Sequence, residues 1–300
     1  MAKDRQFGLS VAVFVVHYGD PERSVQALAS CRALDPGFGA LFLIDNSGNW
    51  PLDDTGDYRV LRPGRNLGYA GAVNLAADAA HEGGFDYLWV LNNDVTVAED
   101  ALQHFAQALA AHPEADIVGS YVSSGGHCYY GGGGFNWRTG RPWHLHFGVP
   151  IDTLPRGGVV TTDWINGASM LIPVSAILTR GRFDENLFLY KEELEWQLRT
   201  PAARAVLVRE CLVDHEVGAT TGSTAGALGG AFMARNALLI AGQRRGPSKW
   251  RWRAEAVLST VLYPLLAGNR GQLAGALIGV RLLAAGPAVV VQRIADRGQR

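Results

Sequence analysis

Cysteine and methionine are scarce, at three residues each, and neither charge is in excess: 27 lysines and arginines face 28 aspartates and glutamates. Cys31, Cys128 and Cys211 are odd in number, far apart and in no metal-ligand spacing. That excludes a disulfide scaffold or a zinc ribbon and fits reduced thiols in a cytoplasmic protein. Without a positive surplus, the chain lacks the electrostatic footprint of a nucleic-acid binder. Long apolar runs are missing as well. Residues 11–16 are too few for a signal core, and 273–291 is interrupted by Arg281 and by Gly286-Pro287, so neither reads as an export signal or a membrane span. With 48% hydrophobic and 18% charged residues, the chain is not disordered and can bury a sizeable core.

What is present is an alternation. Short apolar, β-branched runs at 9–16, 40–44, 58–61 and 87–91 read as strands, with helical spacing over 21–34 and 70–80. Strand–helix alternation predicts an α/β fold with a doubly wound, mostly parallel sheet, whose ligands sit beyond the carboxyl ends of the strands. Residues 119–155 are rich in Gly, Tyr, Trp and His and read as hairpins and long loops. A strand over 163–173, a helix over 194–203 and a strand over 206–213 follow. From Leu228 the pattern is helical, broken at Gly246-Pro247 and Gly268-Asn269.

The strand ends carry the chemistry. Asn92-Asn93-Asp94-Val95 puts a carboxylate just past the fourth strand, where it can hold a divalent cation against a diphosphate; an Asx turn uses the same residues. The Asn66–Asn74 segment is glycine-rich at a helix start but is neither a dinucleotide fingerprint nor a Walker loop. Glu192-Glu193-Leu194-Glu195 opens a helix, which suits the helix dipole and equally offers a general base. His215 follows a strand and reads as a structural histidine or a metal ligand.

Taken in order, these segments resemble the family-2 glycosyltransferases of GT-A fold, in particular their rhamnosyltransferase-like branch. The similarity runs from about Leu9 to Arg235. It rests on Asp45-Asn46-Ser47, the Asn66–Asn74 loop, Asn92–Val95, Trp164 with Gly167 and Ala168, the block from Phe183 to Arg199, His215 with Gly218, and Arg235-Asn236. The resemblance implies a GT-A catalytic domain over 1–227, with a nucleotide-sugar part to about 118 and an acceptor part over 119–227, and a helical extension over 228–300. It implies one sugar moved, with inversion, from a nucleoside-diphosphate sugar (UDP or dTDP preferred) to a hydroxyl of a saccharide, a lipid-linked saccharide or a small aglycone.

By the same carry-over Glu193, with Glu192 as fallback, is the base, and Asp94 and His215 hold Mg²⁺ or Mn²⁺. The donor is met by His17, Tyr18, Asp45, Asn66, Gly68, Tyr69, Asn74, Asn92, Asn93 and Asp94. Donor sugar and acceptor are met by Trp164, Asn166, Gly167, Ala168, Trp137 and Trp143. Two departures stand out: Asn92 occupies the first place of an Asp-x-Asp motif, and Glu193 replaces an Asp as base. A processive-synthase Gln-x-x-Arg-Trp signature is absent, which favours single additions. The basic–aromatic stretch Lys249-Trp250-Arg251-Trp252-Arg253 suits a peripheral membrane contact, and equally suits packing on the catalytic domain or a homodimer contact through the C-terminal helices. Two rivals remain at this stage, a non-catalytic sugar-nucleotide or carbohydrate binder and a nucleotidyltransferase. The latter lacks the basic triphosphate loop it would need near the first strand.

Overall fold

All seven residues of β1 (Val11–His17) are buried, as expected of an apolar run covered on both faces of a sheet. The computed structural model describes residues 9–35, 38–51, 57–199, 204–216 and 223–298. It divides into two compact units: 1–134, 144–183 and 196–217 in the first, and 135–143, 184–195 and 218–300 in the second.

After β1 come α1 (Pro21–Arg32), β2 (Ala40–Asp45), β3 (Arg59–Leu61), α2 (Gly68–Glu82) and β4 (Tyr87–Asn92). β5 (Val95–Val97), α3 (Ala101–Ala111), β6 (Ile117–Ser124) and β7 (His127–Tyr130) follow. Then come the ribbon of β8 (Gly133–Asn136) and β9 (Arg141–His144), β10 (Val159–Thr162), β11 (Ser169–Pro173), α4 (Val174–Arg180), α5 (Glu192–Leu198) and β12 (Ala205–His215).

The main sheet of the first unit runs β10-β12-β6-β11-β4-β1-β2-β3, with β5 beside β12 and β7 beside β6. β3, β2, β1 and β4 are parallel, and so are β6 and β12; β11 enters antiparallel between β4 and β6. Burial of Trp89 against Phe105 (ring centroids 5.2 Å apart), with its indole N–H donated to Ser169 Oγ (2.9 Å), locks β4 to α3 and β11. α1 begins where it does because Asp20 accepts from the Glu22 N–H (3.0 Å) and Pro21 sits at the first helical position.

Three expectations shift. Within the stretch expected as hairpins and long loops, β6 pairs antiparallel with β7, and β8 pairs with β9, but residues 119–124 are most of a long β6 buried almost throughout. Its glycine and serines conceal the strand, and Gly119 is required there because a methyl would lie 2.5 Å from Ile165 Cγ2. The strand expected over 163–173 shortens to β11, since Asn166 Oδ1 accepts from the Ala168 N–H (2.9 Å) and turns the chain. The helix expected over 194–203 is α5, two residues earlier at its start and ending at Leu198; residues 200–203 lie outside the described residues.

The second unit is helical: α6 (Ser223–Gln243), α7 (Pro247–Val257), a π turn (Leu258–Leu262), α8 (Tyr263–Leu266), α9 (Arg270–Arg281) and α10 (Pro287–Gly298). The π turn precedes Pro264, which has no N–H for the Thr260 carbonyl and would clash with it in a regular helix. α6 and α9 approach so closely that a methyl on Gly275 or Gly279 would fall on the Ala227 or Ala231 carbonyl oxygen. Ala231, Phe232, Ile278, Val290 and Ile294 form the buried centre, with Phe188 stacked on Phe232 at 5.2 Å.

Candidate active site

The register of the parallel strands aligns the candidate donor residues at one sheet edge. His17 at the end of β1 lies opposite Asp45 of β2, and Val16 lies opposite Asn92 of β4. Several of these side chains are committed to the protein itself. The His17 ring is within hydrogen-bond distance of Ser24 Oγ (2.6 Å) and Asn49 Oδ1 (2.9 Å). The Asp45 carboxylate accepts from the N–H groups of Gly48 (2.8 Å) and Trp50 (3.3 Å).

Asn46, a turn residue given no role from sequence, clamps the start of α2: it accepts from the Leu67 N–H (2.8 Å) and donates to the Gly68 carbonyl (3.1 Å). Asn66 accepts from the Gly68 N–H (2.8 Å), and Gly68 takes φ +70°, which a side chain would resist. Asn74 is buried and joined to both backbone groups of Phe183 (2.9 and 3.0 Å), while the Tyr69 hydroxyl donates to the Gly167 carbonyl. Tyr18 stays exposed, and its carbonyl accepts from the Asn93 side chain (3.1 Å).

Beyond β4 the chain turns through Asn93-Asp94 into β5, which pairs antiparallel with β12 so that His215 faces Val95. This register brings two residues 121 positions apart into contact: His215 Nε2 lies 3.0 Å from Asp94 Oδ1. Both side chains are nearly buried, with 10% and 13% exposure. His215 Nδ1 is buried with no hydrogen-bond partner among the described residues, an unusual state for a purely structural imidazole. Asp94 also lines a cleft of about 460 Å³ with Asp20, Arg23, Asn93, Asp214 and Glu216. Carboxylates dominate its wall, so it favours a cation or a cation-neutralised anion over a bare one. Among the described residues no three His, Cys, Asp or Glu side chains converge as a metal cage, so Asp94 and His215 stand as a pair. Gly218, matched with His215 in the sequence, lies outside the described residues.

An aromatic wall borders this pair. The Tyr129 ring meets His215 (5.3 Å), His144 (5.2 Å) and the exposed Phe147 (6.2 Å). Trp164 is buried against His144 (5.2 Å) and Tyr130 (5.5 Å), and donates to the Gly134 carbonyl (3.1 Å). Burial holds the His144 imidazole below its usual pKa, hence neutral, with Nδ1 donating to the Tyr129 carbonyl (2.8 Å). The Asn166–Ala168 turn is held from behind by Gln197, whose amide brackets Ile165: Oε1 accepts from its N–H (2.6 Å) and Nε2 donates to its carbonyl (2.8 Å). Gln197 drew no notice in the sequence, where nothing distinguishes it from any helix glutamine.

In the second unit, Trp137 packs on Phe135 (5.0 Å) with Arg244 above its ring (5.4 Å), and Trp143 is exposed. There the candidate base stands in a strained setting. Phe188, Tyr190 and Lys191 all take positive φ (63°, 65° and 68°), each a cost of about 1–3 kcal/mol for a side-chain-bearing residue. The segment is pinned by α6. The Asn236 side-chain amide lies within hydrogen-bond distance of the Leu187, Leu189 and Tyr190 carbonyls (2.7–2.9 Å), and Arg235 donates to the Asn186 and Ala285 carbonyls (2.8 and 2.7 Å). Arg235-Asn236 stood out in the sequence only as a resemblance; the contacts give it a task. Glu192 is buried, Glu193 only half-buried.

Burial raises the pKa of both glutamates, most for Glu192, where repulsion from Glu193 adds to it; Lys191 partly offsets the rise at Glu193. Lys191 is itself pushed down by burial. The sign of the consequence is definite. Between the ordinary glutamate value of 4.5 and its raised folded value, Glu192 is protonated when folded and ionised when unfolded, so stability falls as pH rises through that window. Glu192→Gln is expected to match wild type near pH 4 and to be the more stable form at about pH 7.5, by urea denaturation; a variant that lost stability on going to pH 7.5 would contradict the burial of this carboxyl.

Residues 13–149 match the family model described as Glycosyl transferase family 2, a span that includes Asp94 and ends before Glu193 and His215. No curated protein matched the chain significantly. Among solved structures, S. aureus TarS 1-349 is similar with a TM-score of 0.55 at 11% identity, over 92% of this chain and 81% of that one. GalNAc-T7, solved with UDP, GalNAc and Mn²⁺, is similar with a TM-score of 0.54 at 13% identity, over 88% of this chain. This chain covers 58% of the GalNAc-T7 chain. At such identities the likeness carries the fold, and the fold is GT-A.

Proposed function

We propose that this chain is an inverting glycosyltransferase of the rhamnosyltransferase-like branch, moving one sugar from a UDP- or dTDP-sugar to an acceptor hydroxyl. The carrying observation is the Asp94–His215 pair at the strand-end edge of a GT-A sheet, joined across 121 positions with one imidazole nitrogen unpartnered among the described residues. The family-model match over 13–149 supports the class of reaction.

In this reading Glu193 Oε removes the acceptor proton as the acceptor oxygen bonds to the anomeric carbon, while the bond from that carbon to the diphosphate oxygen breaks and the configuration inverts. The Lys191 ammonium favours the ionised form of Glu193, while burial favours the protonated form of the more deeply buried Glu192. The strand-end residues His17, Asp45 and Asn92, with the Asn66–Asn74 loop that Asn46 clamps, shape the nucleoside seat. The Tyr129 ring beside His215, with His144 and Phe147 packed on it, offers faces for the apolar side of a sugar.

The donor set of Asp94 and His215, one carboxylate and one imidazole, fits a divalent cation completed by diphosphate oxygens and water, and mixed O/N ligation suits Mn²⁺ better than Mg²⁺. When bound, such a cation supplies neutralisation of the leaving diphosphate, a contribution of several kcal/mol. The acidic cleft supports the same assignment, since it would repel a bare diphosphate.

A thermal-shift series with UDP, dTDP and GDP, with and without Mn²⁺, tests the donor assignment. Ligand at about 100 times its dissociation constant adds roughly 2.7 kcal/mol, a shift of several degrees at this size. UDP or dTDP with Mn²⁺ is expected to stabilise most. Absence of a shift with every nucleotide would overturn the donor reading.

A further inference from the structure

From Pro247 to Leu266 the second unit runs as one helical rod, α7, the π turn and α8, and returns through residues 267–269 into α9. Along one side of this rod the outward residues are apolar. Trp250, Ala254 and Val257 recur at helical spacing on α7, and Leu262, Tyr263, Leu265 and Leu266 continue the exposure to the corner. Leu266 is 74% exposed, Trp250 68% and Leu265 54%. α9 leaves the same corner with Leu277 and Val280 exposed. The α8–α9 corner and this side of α7 together form an apolar tip.

The helices that carry these residues are basic. Arg251 on α7 and Arg270 at the start of α9 are exposed, Arg253 lies over the Trp250 ring at 5.3 Å, and Arg245, Arg281 and Arg293 are exposed elsewhere along the same helical stretch. Between positions 244 and 295 the sequence holds a single acidic residue, Glu255, which is buried and lies 3.8 Å from Arg141. An apolar tip set in cations is the complement of an anionic lipid surface: leucines enter the acyl boundary, Trp and Tyr sit at headgroup level, and arginines meet phosphates. The same charges disfavour the other ready occupant, a second copy of this chain, because like would face like. No described helix is long and apolar enough to cross a membrane, so the contact is one of lying on the surface.

We propose that the α8–α9 corner and the outward face of α7 form a docking surface for an anionic lipid bilayer. The proposal does not depend on the transfer chemistry, and its test reads no activity.

The full chain is to be floated with phosphatidylcholine vesicles containing about 30% phosphatidylglycerol, and with pure phosphatidylcholine, at low and high salt, alongside sedimentation velocity of the protein alone. Expected is binding to the anionic vesicles that weakens with salt, little binding to the neutral ones, and a monomer in sedimentation. Leu265→Glu/Leu266→Glu should lower partition by about tenfold or more, through lost burial of two leucines. Arg251→Gln and Arg270→Gln should each cost about fivefold on anionic vesicles alone, the worth of one basic residue near a charged surface. All these positions are exposed, and unchanged melting temperatures will show that the variants fold. Failure of the wild type to bind anionic vesicles, equal binding by the leucine variant, or a wild-type dimer that this variant dissociates would each overturn the proposal, the last in favour of a second copy.

Discussion

Glu193→Gln is expected to cut turnover by about 10²–10⁴-fold, the usual worth of a general base, with Michaelis constants nearly unchanged. The substitution keeps the size of the side chain and most of its hydrogen bonding while deleting the basic oxygen. Its neighbours make the test informative. Glu192 is buried, its Oε2 has no hydrogen-bond partner among the described residues, and burial favours its protonated form, which makes it the poorer proton acceptor of the two. Glu192→Gln should therefore be the milder change. Glu193 is less buried and has Lys191 to favour its charge. Because the two carboxyls titrate as a pair, turnover should rise with pH through a raised apparent pKa belonging to both. Loss of turnover in Glu192→Gln alone would move the base by one residue. Normal turnover in both variants would remove the base from this helix start altogether.

Asp94→Ala should remove Mn²⁺-dependent donor stabilisation and lower kcat/KM by about 10²–10³-fold, matching the several kcal/mol that leaving-group neutralisation supplies. The fold should survive, since Asp94 follows β4 at the cleft wall and its side chain meets His215 and not the hydrophobic core. His215→Ala should do less, because an imidazole is one donor among several around a hydrated cation. Undiminished wild-type activity in excess EDTA would sink the metal role of both residues together.

Which parts were legible in the sequence follows from how each is built. β1 and β4 are covered on both faces, so their apolar runs mark them without context, and the strand ends could be searched for ligands at once. β6 lies equally deep but is built from Gly119, Ser120 and Ser123, whose smallness answers to Ile165 and to β12, partners far away in the chain. The candidate residues split along the same line. Asp94 was visible as a carboxylate past a strand, but its pairing with His215 depends on the β5–β12 register, which no local pattern reveals. His17, Asp45 and Asn74 were legible as residues of interest, while their hydrogen bonds to Ser24, Trp50 and Phe183 were not. The setting of Glu193 was the least legible. It needs a three-residue excursion to positive φ and an asparagine more than forty positions later to hold it, and neither leaves a periodic trace.

Release of nucleoside diphosphate from a panel of UDP- and dTDP-sugars, with Mn²⁺ and with wild type, Asp94→Ala and Glu193→Gln measured side by side, tests the central claim most directly. The account predicts that at least one donor is turned over by wild type, that Asp94→Ala loses Mn²⁺-dependent donor binding and releases nucleoside diphosphate at least about 10²-fold less efficiently, and that Glu193→Gln binds the donor but releases nucleoside diphosphate far more slowly. A folded wild-type protein that released no nucleoside diphosphate from any donor, or three proteins releasing it at equal rates, would contradict it.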